Sequence, residues 1–355
     1  MSTTYRTLGR SGLRVAPFGL GTMTFGQPGW GCDEEVAGQV LDTYLGWGGN
    51  LIDTADIYAG GESERIIGRY LVDRGARADV VLATKYSMGA RPGHPNAGGN
   101  GRVAMRRALE GSLERLGTDH VDLYLVHAWD GITPVEEVMR ALDEVVRAGL
   151  VRHVALSDVP AWYAARAATI AQWRGYEPPV AVQLEYSLAE RGLEHEFPAL
   201  CREIGVGLMT WGPLANGLLA GAYSSVAHAE DPEEAELPDG RIKATSARRN
   251  PATDKRNERT WAVVRALEEL AADVGATPAQ VAIAWLRGRP EVSTVLLGAR
   301  RPEQLEQNLR AADLELPAEA RARLDELSAP PRTVPYGFMP WAQSLMNADL
   351  EEDTL

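Results

Sequence analysis

Val121-Asp122-Leu123-Tyr124-Leu125-Val126-His127 is followed by a helical pattern over Pro134–Ala148 and then by Val151-Arg152-His153-Val154-Ala155-Leu156-Ser157. The middle segment opens on proline, repeats apolar residues at i, i+3 and i+4, and stops at Gly149. A strand, a helix and a strand in that order make a parallel pair joined by a crossover, with the strands buried on both faces. Moving outward, the same alternation recurs in both directions. Candidate strands lie at Phe18–Thr22, Asn50–Thr54 and Val80–Lys85 upstream, and at Val180–Glu185, Gly205–Trp211 and Ser293–Gly298 downstream. Helical patterns fill Asp33–Trp47, Glu62–Arg74, Gly101–Leu116, Ala161–Arg174, Trp261–Val274 and Pro278–Arg287. Eight strand units in regular alternation predict a closed (β/α)8 TIM barrel rather than an open doubly wound sheet.

Tyr5–Val15 precedes the first unit and reads as a hairpin with a glycine-containing turn, expected to cap the barrel bottom. Between Leu218 and Thr260 runs a polar stretch containing Ala229–Glu234 and Pro238–Gly240, expected as a lid or a disordered loop. Pro317–Leu327 reads as a further helix, and Pro335–Leu355 as a tail with aromatics and an acidic end. The expectation is one domain over 1–355, with a barrel core of about 16–315 and a C-terminal helix and tail over 316–355.

The chain has 355 residues, 45% hydrophobic and 24% charged, which is soluble-globular usage and enough to bury a large core. Only Cys32 and Cys201 are present, which excludes a disulfide framework and points to a reducing, cytoplasmic setting. No apolar run reaches membrane-helix length, and the N-terminus lacks a signal-peptide core. A net charge of −13 disfavours general nucleic-acid binding, while leaving room for a local basic pocket. The six histidines show no ligand spacing, so no metal site is expected.

Gly19-Leu20-Gly21-Thr22-Met23-Thr24-Phe25-Gly26 invites a dinucleotide fingerprint, but its third glycine comes too late and no helix opens there. It reads instead as a strand end and loop that something approaches closely.

Polar residues at strand C-termini share one mouth in a parallel barrel, where active sites lie. Those positions carry Asp53, with Tyr58 in the loop after it, then Lys85 and His127. Singly each has a plain explanation: a turn cap, a solvated cation, a core histidine. Together they place a carboxylate, a phenol, an ammonium and an imidazole in one cavity. A phenol with a pKa near about 10 is a poor proton donor at neutrality unless a cation stabilises the phenolate. Lys85 is expected to do that, with Asp53 holding it and His127 orienting the reacting oxygen.

Three stretches, Asn50–Tyr58, Val81–Lys85 and Asp122–His127, resemble the motifs of the aldo-keto reductases, and the resemblance extends to about Leu327. It implies NADPH/NADP+ lying extended across the barrel mouth and reduction of a small-molecule carbonyl substrate. It also implies a catalytic tetrad of Asp53, Tyr58, Lys85 and His127, with Tyr58 as general acid. Gly21, Thr22 and Met23 would pass beneath the nicotinamide ribose. Ser157, Asp158 and Gln183 would hold the carboxamide, Asp158 standing where the family has Asn and carrying no amide donor. Trp211 would stack on the nicotinamide. Gly212, Pro213, Leu214, Gly217 and Leu218 would wrap the pyrophosphate. Gly298, Arg300, Gln304, Gln307 and Asn308 would take the adenosine half, with Arg300 on the 2′-phosphate.

Strand-end aromatics Phe25, Trp30, Tyr86 and Trp129, with Tyr336, Phe338 and Trp341 from the tail, are expected to line the substrate pocket, suiting aromatic, aliphatic or sugar-type carbonyls. Pro92–Gly101 is a turn-rich loop on the same mouth. Two other classes compete. One is a cofactor-binding regulatory subunit, because relatives associated with potassium channels keep this barrel. The other is a Schiff-base lyase using Lys85, disfavoured because Asp53 would keep that lysine charged.

Overall fold

The computed structural model describes residues 4–89, 93–230, 236, 242, 254–331 and 333–348. Arg6–Thr7 (β1) and Arg14–Val15 (β2) form an antiparallel hairpin. The barrel strands are Phe18–Gly21 (β3), Leu51–Asp53 (β4), Val81–Tyr86 (β5), Val121–Val126 (β6), Val151–Ser157 (β7), Pro179–Glu185 (β8), Gly207–Trp211 (β9) and Val292–Gly298 (β10). Each pairs in parallel with the next, and β10 returns to β3 to close the barrel. The expected (β/α)8 barrel and hairpin are both present.

The surrounding helices are Glu34–Gly46 (α1), Glu62–Arg74 (α2), Arg102–Leu116 (α3), Val135–Arg147 (α4), Ala161–Arg174 (α5), Phe197–Ile204 (α6), Ser224–Ala227 (α7), Glu258–Asp273 (α8), Pro278–Arg287 (α9) and Pro302–Leu309 (α10). Beyond the barrel come Ala318–Leu327 (α11) and Met339–Met346 (α12). Four of the described helices, α6, α7, α10 and α12, lie outside the sequence patterns. α6 is short and carries proline near its start, and α12 buries none of its residues. The strand expected from Gly205 begins at Gly207, because Gly205 ends α6 in the left-handed conformation with its N–H on the Cys201 carbonyl.

Strand periodicity of two divides the core. Leu51, Val81, Ala83, Leu123, Leu125, Ala155, Ala181, Met209 and Leu296 pack inside the barrel, while Tyr124, Val126, Leu82 and Val154 join the larger layer beneath the helices. Leu8 of the hairpin belongs to the inner cluster, and Arg10 donates its N–H to the Gly205 carbonyl, so the hairpin closes the N-terminal end. Gly9 must be glycine there. Its φ is 59°, and a Cβ would meet the Gly205 and Val180 carbonyl oxygens at 2.6 Å. Among the described residues no helix is long and apolar enough to cross a membrane.

Candidate active site

Continuing each inner column to the strand's C-terminal end builds the site. Asp53 stands two residues beyond Leu51, Lys85 beyond Ala83, His127 beyond Leu125, Ser157 beyond Ala155, Gln183 beyond Ala181 and Trp211 beyond Met209. Alternation therefore aims all six into one mouth above the apolar filling.

Lys85 is almost wholly buried. Its Nζ donates to Asp53 Oδ1, to the Thr54 carbonyl at 2.9 Å and to the Tyr58 hydroxyl at 3.3 Å. Burial alone would depress the ammonium's pKa, but Asp53 and Tyr58 outweigh it and the net direction is upward. Gln183 Nε2 donates to the second Asp53 oxygen at 2.8 Å. The Tyr58 ring lies edge-on to His127 with centroids 5.8 Å apart. Burial raises the Tyr58 phenol while Lys85 opposes the rise, and burial prevails. The site thus holds a protonated phenol beside a fixed cation, rather than a phenol already lowered toward neutrality. His127 is pushed down to about 3 by burial and then by Lys85, so its ring is neutral. Its Nδ1 is buried without a partner among the described residues, leaving Nε2 as the ring nitrogen open to the mouth.

A supporting layer lies beneath this group. Ser63 Oγ reaches the Thr22 carbonyl, Thr22 Oγ1 and Thr54 Oγ1 at 2.9–3.0 Å, tying α2 to the loops after β3 and β4. Glu64, fully buried, accepts from Thr84 Oγ1 and Arg115 Nε, both at 2.6 Å. Asp56 is buried, its Oδ1 unpartnered among the described residues, and is pushed up to about 7, mainly by burial and then by Glu64. None of these was singled out from sequence. A signal existed for Glu64, which shares the buried stripe of α2 with Ile67, Gly68 and Leu71, at the i, i+3, i+4, i+7 spacing that ordinarily carries apolar side chains.

Three observations fit the dinucleotide that the resemblance implies. Gly21 and Gly298 are register partners whose added Cβ would meet nothing nearer than 3.8 Å, so neither packing nor backbone requires glycine and the space above them is open. Ser157 Oγ is buried at the mouth without a partner among the described residues. The loop after β9 runs through Gly212, Ala215, Asn216 and Gly217 at φ of 70°, 46°, 60° and 100°, a strained wrap typical of ligand loops. Asp158, also at positive φ, accepts from Trp211 Nε1 at 3.2 Å. Its side chain is exposed at the mouth, and desolvation by the surrounding atoms, only partly offset by the Trp211 hydrogen bond, pushes it up to about 6. Thr22 is turned inward onto the Asp53 carbonyl, and Met23 is partly exposed. In the loop after β9, Pro213 and Leu218 are buried, and Leu214 is half-buried. Arg300 is exposed beside the start of α10, its N–H held by Gln304 Oε1 at 3.1 Å. Gln307 is exposed and Asn308 buried.

The aromatic pocket is smaller than expected. Phe25 is fully buried in the core and Tyr86 is buried and stacked on Tyr124, so neither lines the mouth. Trp30 is half-buried. Trp129 remains accessible, its N–H on the Asp158 carbonyl and its ring edge-to-face with Trp162, a residue not foreseen. Tyr336 stacks on His195, while Phe338 and Trp341 pack on each other in solvent. Of the loop over Pro92–Gly101, Pro92 lies outside the described residues. Asn100 is buried and donates to the Ala128 carbonyl, fastening the loop's end beside β6. Most of the segment expected as a lid also lies outside the described residues. Where the chain resumes, Lys255 pairs with Glu185 at 3.3 Å and with Glu190, anchoring it at the end of β8. Among the described residues no cluster of histidine, cysteine and carboxylate side chains suits a metal ion.

The sequence model of the aldo/keto reductase family matches residues 17–329. An aryl-alcohol dehydrogenase of Pestalotiopsis microspora is 37% identical over 86% of this chain and 77% of its own length. A norsolorinic acid reductase of Aspergillus flavus is 32% identical over 89% and 78%. A probable voltage-gated potassium channel subunit beta of Oryza sativa subsp. japonica is 34% identical over 94% and 99%. With a closed parallel barrel, a buried ion pair reaching a tyrosine at its mouth and this match over most of its length, the chain belongs to the aldo/keto reductase family.

Proposed function

We propose that this chain is an NADPH-dependent carbonyl reductase of the cytoplasm, acting as one unit over residues 1–355, with Tyr58 as the proton donor. The observation that carries the reading is the Lys85 ammonium, buried and bonded at once to Asp53 and the Tyr58 hydroxyl. A reduced nicotinamide, when bound, supplies the hydride. The chain's own residues handle the oxygen. Tyr58 gives its proton to the carbonyl oxygen as negative charge develops there, and Lys85 stabilises the phenolate left behind. Asp53 keeps Lys85 charged and fixed, and Gln183 fixes Asp53. Neutral His127 offers Nε2 to the same oxygen and sets its direction. Ser157 and Asp158 support the carboxamide, Trp211 the nicotinamide face, and Arg300 the 2′-phosphate.

An aryl carbonyl is the favoured substrate body. Trp129 and Trp162 present an accessible edge-to-face pair beside His127, and the aryl-alcohol dehydrogenase is among the relatives. The test is NADPH oxidation with aromatic aldehydes, beside Tyr58→Phe. Turnover should fall about 10²- to 10⁴-fold while NADPH affinity stays nearly unchanged. Equal loss of both would make Tyr58 structural.

The second reading, a cofactor-bound regulatory subunit, draws on the match to nearly the whole of the rice channel subunit. Tight NADPH binding with negligible turnover on every carbonyl would favour it.

A further inference from the structure

At the opposite end of the barrel, a cleft of about 450 Å³ opens between β1, the turn from α9 into β10, and the approach to α11. Arg6, Arg287, Arg289 and Arg321 line it, against a single carboxylate, Glu315. In a chain of net charge −13 this concentration of cations is out of character.

Among the described residues, two of these four charges, Arg287 and Arg289, have carboxylate counterparts. Arg289 lies over the Trp285 ring at 4.1 Å and pairs with Asp325. Arg287 reaches Glu315 at 3.0 Å, but the Glu315 side chain is 82% exposed, and Arg287 Nε is buried without a partner among the described residues. Arg6 donates only to carbonyl oxygens, those of Val292 at 2.9 Å and Arg287 at 3.5 Å. It meets no carboxylate among the described residues. Burial, and then the Arg287 guanidinium, lower its pKa, since neither stabilises a positive charge there. Arg321 projects from α11 with no side-chain hydrogen bond or ion pair among the described residues. Clipping the hairpin to β10 accounts for Arg6 but not for Arg321. Thr7 and Ser293 add hydroxyls to the lining, and Ser293 falls where the β9–β10 register slips, so it is free of the ladder.

We infer that this cleft binds the phosphate group of a small anionic molecule, received by Arg6, Arg287 and Arg321. Two uncompensated cations call for a dianion. The three arginines line the cleft from separate elements, β1, α9 and α11, an arrangement that suits the tetrahedral oxygens of a phosphate better than a planar carboxylate that one fork satisfies. The site lies away from the Tyr58 mouth and does not depend on the reductase reading.

The experiment is calorimetric titration of the full-length protein with inorganic phosphate, at ionic strength held constant with chloride. Saturable binding is expected. Arg321→Glu should weaken it at least about tenfold, as loss of a charge-assisted contact plus repulsion requires. Glu315→Gln should tighten it severalfold by freeing Arg287. Arg300→Ala, at the opposite mouth, should leave it unchanged. Both Arg321 and Glu315 are surface positions, so folding, checked by circular dichroism, is retained. Absence of saturable binding overturns the proposal. So does native affinity in Arg321→Glu, or loss of binding in Arg300→Ala, which would put the phosphate at the mouth.

Discussion

The Tyr58 hydroxyl stands 3.3 Å from the Lys85 ammonium, and the same ammonium is bonded to Asp53 and to the Thr54 carbonyl. A cation buried this deeply is held by its partners rather than by water, so its position relative to the phenol is fixed by the barrel wall. The ion pair therefore fixes the geometry around the phenol.

Lys85→Met should separate the two contributions. It leaves the Asp53 carboxylate buried with one remaining donor, Gln183, and should cost about 3–5 kcal/mol of stability. Adding Asp53→Asn should recover part of that loss, because the uncompensated charge is gone, while turnover stays absent. Urea denaturation of the two variants checks this. An unchanged midpoint in Lys85→Met would mean that Asp53 is solvated.

Asp56 gives a pH signature. Its folded pKa, about 7, lies above the ordinary carboxylate value near about 4. The fold therefore prefers the protonated form, and ionisation destabilises it progressively as pH rises from about 4 to about 7, in full above that. Asp56→Asn cannot ionise. It should exceed the native protein in stability by about 2–4 kcal/mol at pH 8 and lose that margin below pH 4. A difference that does not change with pH would refute the assignment.

Asp158, pushed up to about 6, should make NADPH binding pH-dependent. Below pH 6 its carboxyl carries a proton to donate and no negative charge to oppose the dinucleotide, so affinity should rise on acidification. Asn tolerates the positive φ of 45° at this position. Asp158→Asn should bind as the native protein does at low pH and show a flat profile from pH 5 to 8. Fluorescence titration across that range decides it, and parallel profiles would remove Asp158 from the carboxamide contact.

Arg300→Ala should weaken NADPH more than NADH, by about 1–3 kcal/mol, since only the former carries the 2′-phosphate. Matched losses for the two cofactors would take Arg300 off that phosphate.

Trp162→Ala should raise the KM for an aryl aldehyde about 2- to 10-fold through loss of the edge-to-face support of Trp129, and leave methylglyoxal unaffected. A rise for both substrates would indicate a general loosening of the mouth.

Periodicity by itself determined the barrel. Short β-branched strands alternating with amphipathic helices leave few other ways to bury both faces of eight parallel strands. Strand ends were legible too: continuing the inner columns of β4, β5 and β6 by one position lands on Asp53, Lys85 and the residue after β6, His127. Only the tertiary structure decided which neighbours each group meets. Burial outweighs Lys85 at the Tyr58 phenol, a balance of solvation and charge that no linear spacing contains. Phe25 and Tyr86 look like pocket aromatics in sequence, yet neighbouring elements cover them completely, while Trp162 reaches the mouth only because α5 starts beside Trp129. The arginine cleft draws Arg6, Arg287 and Arg321 from distant parts of the chain, and barrel closure is what makes them neighbours, by laying the hairpin beside β10.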